Sequence, residues 1–390
     1  MLAAAAFLAA SVTPADCGRC HTDHLKEWSA SAHARSTGSP LYRALELLSR
    51  ADRARAGEGD DRPCADCHGD SPDGIGCVEC HAVARIAERP GAHGLATMER
   101  GPDGTYFGPI DKPADARVHR STASAIHRDE RICAPCHDHD VVATDRATLP
   151  RAALRALRAR SQAACCTTLR DWRRSEMADF MTCQSCHMRA VPERRAARDG
   201  PTRTTHRHRF AGSDDADQLR SGWDVEVRSA GRTARGIDLT VAVTNRAGHA
   251  LPNGEPFFAR VVLRVEILDR GGAALAGEER RYGFEMLDAD GSPTVLPGRA
   301  ALRGTSSALA SGETREERVR LPAHLDAVAI EVTLWHVPFD PPSEARRWMD
   351  ELRAWMAKEK PIWAKEIDSL GAVLESRARP RLFARLLRSL

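Results

Sequence analysis

The chain has 390 residues, with 57 Lys and Arg against 54 Asp and Glu, a formal net charge of +3. That balance excludes the strongly basic surface of a nucleic-acid binder, and a mean hydropathy of −0.43 fits a chain folded in water. Twelve cysteines and sixteen histidines are the anomaly, because cysteine is rare in cytosolic proteins without metal or redox work. Aromatic residues make up only 5%, which is thin for the two or three domains this length suggests. Only five of the basic residues are lysine. We read that bias, with the abundance of alanine, as base composition and not as function.

In chain order, residues 1–15 come first. The run MLAAAAFLAASV, then Thr13, Pro14 and Ala15, reads as the apolar region and cleavage site of a secretory signal peptide. The positively charged start of such signals is missing, which a start internal to a longer signal would explain. After residue 12 no run approaches the ~20 apolar residues that span a bilayer.

Ten of the twelve cysteines then fall into five CxxCH units: Cys17, Cys20 and His21; Cys64, Cys67 and His68; Cys77, Cys80 and His81; Cys133, Cys136 and His137; Cys183, Cys186 and His187. Chance from this composition predicts well under one. CxxCH is the attachment signature of c-type haem. Two thiols at this spacing reach the two vinyl groups of the porphyrin, and the adjacent histidine lies under the ring as the proximal ligand to iron. Zinc sites also use CxxC but need no histidine after every pair, and thioredoxin-like motifs come singly. Five covalent haems c are the implied cofactors. They explain the aromatic deficit, since the macrocycles themselves supply an apolar core over residues 16–212.

The sixth iron position separates a carrier from a catalyst: a second strong ligand gives an electron carrier, an open position a reactive haem. Eleven histidines lie outside the motifs, more than five haems need. Met98, Met177, Met181 and Met188 are alternatives.

Several patches resemble the multihaem cytochromes that include the nitrifier tetrahaem cytochrome c and hydroxylamine oxidoreductase. CGRCHTDHLKEWSASAHA at 17–34 is similar to their first haem segment, with Trp28 followed by Ser-x-His. Tyr106-Phe107-Gly108-Pro109-Ile110 with His119, the run from Asp171 and Trp172 through Ser175 to Met188, and His208-Arg-Phe-Ala-Gly212 resemble later segments. Gly248-His249-Ala-Leu-Pro-Asn-Gly254 resembles a turn in an appended β-domain. The resemblance implies His33, His119 and His208 as distal ligands. It adds His93, after Pro90-Gly91-Ala92, and His249, which could equally be a hairpin-turn histidine. His127 and His24 are further candidates with a surface or helical reading beside them. His139, His206, His324 and His336 read as plain surface or core residues.

Residues 150–164 form a helix-like run rich in Ala, Leu and Arg. Cys165 and Cys166 follow it and read as thiols or a vicinal pair without a haem. No cysteine occurs after the last motif. Runs at 224–228, 237–244, 257–268, 315–321 and 327–335, separated by turn residues, predict an antiparallel β-sandwich over residues 213–340. Residues 341–390 read as C-terminal helices: Trp348, Leu352, Trp355 and Met356 make one apolar stripe, and 362–374 continues it. The tail RLFARLLRSL reads as a basic amphipathic segment that docks on its own protein or lies on a membrane. The expected layout is a helical, loop-rich multihaem domain, then the sandwich, then helices.

The expected function is periplasmic or extracellular electron transfer along five haems. The redox partners would be a quinol dehydrogenase, other cytochromes or a terminal oxidoreductase. No nucleic acid is expected; association with a membrane surface, a complex or an oligomer is. Two other readings stand beside it: an oxidoreductase of a small nitrogen or sulfur compound at one open haem, and a subunit of a haem-bridged filament. The absence of any CxxCK unit and the surplus of histidines argue against the enzyme.

Overall fold

The structure, a computed structural model, describes residues 12–58, 64–87, 94–114, 118–140, 164–253, 259–377 and 380–390. His93 and residues 150–163 of the helix-like run lie outside these. Two compact units interleave along the chain. The first holds Met1–Ser39, Ala65–Pro135 and Thr182–Ala211; the second holds Pro40–Cys64, Cys136–Met181 and Gly212–Leu390.

The first unit is built from short helices and two-stranded ribbons. Its motif helices are single turns, such as Cys77–His81 and Cys183–His187. One turn is enough, because cysteines at i and i+3 and a histidine at i+4 share one helix face. Glu79 closes the start of the first of these, its carboxylate accepting from the Gly76 N–H at 2.9 Å. The helix Thr22–Ser29 buries Trp28, whose indole N–H donates to the Ile75 carbonyl at 2.8 Å. Gly74 must be glycine: its φ is +64°, and a Cβ there would stand 2.4 Å from the His33 carbonyl oxygen. Among the described residues of this unit, prolines aside, the buried apolar side chains are Trp28, Ile75 and Val83. That is far too little to hold a domain together.

The second unit has ordinary cores. A three-stranded antiparallel sheet contains Trp223–Thr233, Gly236–Asn245 and Thr314–Leu321. A four-stranded one contains Ala274–Tyr282, Arg260–Leu268, Ala329–Val337 and Arg381–Ser389, in that order. Ile237, Leu239, Val241 and Val243 alternate inward from the first sheet, and Val261, Leu263, Val265 and Ile267 from the second. They merge in one cluster with Trp223, Tyr282 and Phe383, which is what a period of two builds when one face is buried. A separate cluster joins Leu47, Leu48 and Ala51 of the helix Pro40–Arg55 to Leu352 and Met356 of Ser343–Glu359 and Ile367 and Leu370 of Pro361–Arg377. No helix among the described residues is long and apolar enough to cross a membrane.

The tail corrects the sequence reading. Residues 381–389 are a strand, not a helix, and pair antiparallel with Ala329–Val337 from Ser389 opposite Ala329 to Arg381 opposite His336. Phe383 enters the sheet core, and Arg385 donates to Glu331 at 2.7 Å. Leu382 and Leu387 are exposed. A free sheet edge supplies a full ladder of backbone hydrogen bonds, and that outweighs a modest helix propensity. The strands at 274–282 and 302–306 also went unforeseen, because charged and small residues break their alternation.

The loop carrying His249 is fixed within this unit. Asn245 is fully buried, and its side-chain amide donates to the carbonyls of His249, Leu309 and Ala310 at 2.8, 3.0 and 3.0 Å. Gly248 lies on the buried Trp172, where a Cβ would stand 2.2 Å from Cζ3. Gly248→Val is therefore expected to cost about 1–3 kcal/mol and to lower the thermal midpoint by a few degrees. An unchanged midpoint would show that this contact is not tight.

Candidate functional site

Three motif histidines of the first unit share one local design. His21, His81 and His187 each donate Nδ1–H to a backbone carbonyl: Ala196 at 2.7 Å, Phe107 at 2.7 Å and Ala211 at 2.5 Å. A donating Nδ1 fixes the tautomer and leaves Nε2 with a lone pair, the arrangement a ligating histidine needs. Each accepting carbonyl is distant in sequence, so the second layer around each motif is tertiary.

Second imidazoles stand opposite two of these rings. His119 faces His21 with ring centres 6.3 Å apart and planes 28° apart. His208 faces His81 at 6.0 Å and 24°. An iron held between two imidazoles, at metal–nitrogen distances of about 2 Å, puts the ring centres roughly 6 Å apart. The residues therefore fit an iron ligated on both faces. His119 and His208 also turn Nδ1 to carbonyls, of Arg120 at 3.2 Å and of His206 at 3.0 Å.

His127 is the third ring near this group, 5.7 Å from His81 at 15°. Its Nε2–H donates to the Cys80 carbonyl at 3.0 Å, beside the motif's own backbone. Its Nδ1 is buried without a hydrogen-bond partner among the described residues, a cost of about 1–3 kcal/mol that a bound group would remove. His33 meets Phe210 edge-on at 4.5 Å. Phe210 sits at φ 47° and also borders His208, at 5.8 Å. His249 belongs to the second unit, where its Nδ1 donates to the Ala250 carbonyl at 3.0 Å.

Burial favours the neutral form of His81, His208, His127 and His24, the form a ligand must take. Burial lowers the pKa of His81. Burial, then His81 and His24, hold His208 well below the usual histidine range. Burial brings His127 down to about 4, and burial with Arg194 and His21 brings His24 down to about 4.

The thiols show which motifs are neighbours. The Cys17 and Cys77 side chains hydrogen-bond, which pulls Cys17 down to about 7 and pushes Cys77 up. Cys133 and Cys183 do the same, with Cys133 raised and Cys183 lowered. The first motif thus lies beside the third, and the first cysteine of the fourth motif lies beside the fifth. Residues of the second and fourth motifs are divided between the units, with Cys64, Cys136 and His137 in the second. Cys165 and Cys166 stand on the short strand Ala164–Thr167.

Solved structures place this architecture. A penta-heme cytochrome c552 from Thermochromatium tepidum superposes with a TM-score of 0.66 at 18% identity, covering 97% of this chain and 99% of that one. The chain shares the fold of that cytochrome. The ApaA protein from Bordetella pertussis aligns over 43% of this chain at a TM-score of 0.19 and 14% identity, too low to carry any argument. No family model matches the sequence, and no curated protein does.

Sequence reasoning missed Glu27 and Arg194. Their side chains form a part-buried ion pair at 2.7 Å beside His208. A lone glutamate and one arginine among many gave no signal, because 167 positions separate them.

Proposed function

We propose that this protein is a multihaem c-type cytochrome that transfers electrons in the periplasm or outside the cell, through five covalent haems on its five CxxCH motifs. One observation carries the reading: His21 with His119, and His81 with His208, stand as near-parallel imidazole pairs about 6 Å apart. Two strong ligands leave no position for a substrate and suit a carrier. When bound, each haem iron takes up and releases one electron. The protein's part is to hold the neutral imidazoles in place, exclude water from them and set the spacing between haems. The thiol contacts between Cys17 and Cys77 and between Cys133 and Cys183 support close edges and short electron-transfer distances. The patches at 17–34, 106–119, 171–188 and 208–212 support kinship with the hydroxylamine oxidoreductase group, with the two-sheet β-domain as an addition. Its partners on this reading are redox proteins, a quinol dehydrogenase or another cytochrome.

The test is spectroscopic. The oxidised holoprotein should give low-spin electron paramagnetic resonance signals, a pyridine haemochrome equal to five haems per chain, and little carbon monoxide uptake on reduction. A strong high-spin signal with carbon monoxide binding would replace the carrier reading with the oxidoreductase one. Fewer than four haems per chain would sink both.

A further inference from the structure

We infer that Glu27 and Arg194 are positioning residues that set the orientation of His208 as an iron ligand. The inference rests on the reading of His208 as the distal partner of His81. Three constraints meet on His208. Its backbone N–H donates to Glu27 Oε2 at 2.8 Å. Its Nδ1–H donates to the His206 carbonyl at 3.0 Å, and that same oxygen accepts from Arg194 Nη2 at 2.7 Å. Its ring packs against His24, centres 4.6 Å apart and planes at 86°. Arg194 holds that neighbour too, with Nη2 3.2 Å from His24 Nε2. His24 therefore accepts there and cannot turn freely.

Arg194 commits its whole guanidinium to this task. Nη1 reaches Glu27 Oε1 at 2.7 Å and Nε reaches Thr205 Oγ1 at 2.6 Å. Arg207 adds a second cation to Glu27 Oε1 at 3.2 Å. The side chains of Glu27 and Arg194 are only 15% and 12% exposed. Paired charges withdrawn from water in this way are a costly way to gain stability alone. Their fixed fork geometry is a good way to fix direction. Both ends stand on rigid supports. Glu27 precedes the buried Trp28 on Thr22–Ser29. Arg194 lies on the hairpin of Ala190–Arg195 with Thr202–His206, at a bulge between Val191 and Arg194 where Glu193 takes φ 50°. Bulges of this kind re-aim a side chain.

The relative orientation of two axial imidazole planes governs the low-spin resonance spectrum, so the effect is visible without any activity. The experiment uses the full holoprotein in three variants. His208→Ala should convert one of the five haems to a high-spin, carbon monoxide-binding form. Glu27→Ala should keep five haems by pyridine haemochrome, shift the low-spin signal of that same haem and let it take up carbon monoxide in part. Glu27→Gln, which keeps an acceptor for the His208 N–H but loses the ion pair, should fall between Glu27→Ala and wild type. Should Glu27→Ala fail to accumulate, Glu27→Gln decides by the same signal. If His208→Ala opens a haem while both Glu27 variants keep the wild-type spectrum and potential, the positioning role is wrong. If His208→Ala opens none, the ligand assignment is wrong and the inference falls with it.

Discussion

Polypeptide produced without haem attachment is expected to lose the order of its first unit while the sheets of the second persist. Among the described residues, prolines aside, that unit buries only Trp28, Ile75 and Val83 as apolar side chains. Both large clusters, around Val241 and Leu263 and around Leu48 and Met356, belong to the other unit. Without macrocycles, the chain entropy of the motif segments has nothing comparable to offset it. Hydrogen exchange on the haem-free chain should show amides of 65–87 and 182–211 near the unprotected rate, and those of 237–244 and 261–267 still slow. Haem attachment should also change the charge. Each ferric haem contributes about +1 at its ligated core and about −2 from its propionates. The formal +3 of the chain then moves to roughly −2, so the holoprotein should focus below the sequence value of 8.3. Native-like protection of the first unit in haem-free protein would overturn the idea that the haems are its core.

His119→Ala should open one haem. His119 faces His21 at 6.3 Å across a gap that fits an iron, and its ring is further placed by Tyr106, edge-on at 5.3 Å. Removing the imidazole leaves one iron with a single histidine. One of five low-spin signals should be lost, and about one carbon monoxide should bind per reduced chain. The midpoint potential of that haem should rise by on the order of 0.1 V, because the lost ligand favoured the ferric state. Attachment depends on Cys17 and Cys20, so the haem count should stay at five. If no carbon monoxide binds, the two rings are merely packed together. The same measurement on His33→Ala is expected to open a haem as well. Its ring meets Phe210 edge-on at 4.5 Å, so the result separates a ligand from a packing contact.

Legibility followed the range of each interaction. The motifs could be read at once, because each CxxCH unit is five contiguous residues. The strands around Val241, Leu263 and Val332 could be read from their period of two. The tail misled, because Leu382, Phe383, Leu386 and Leu387 fit a helical stripe about as well as a strand. Its state was settled by the open edge of Ala329–Val337. The facing of His119 with His21 and of His208 with His81 was not legible, since nothing local ties them together.

The sequence by itself determined where the five CxxCH units stand, which histidine lies next to each cysteine pair, and that aromatic residues are scarce along the chain. Those are properties of short segments and of composition, and they survive any arrangement of the rest. Only the tertiary structure decided which second imidazole meets which first one, that Glu27 and Arg194 converge on His208, and that the last residues close a sheet. Each of these depends on atoms brought to within a few ångströms from positions up to 181 residues apart. Such approach is set by packing and hydrogen bonding over the whole unit, which no local pattern encodes.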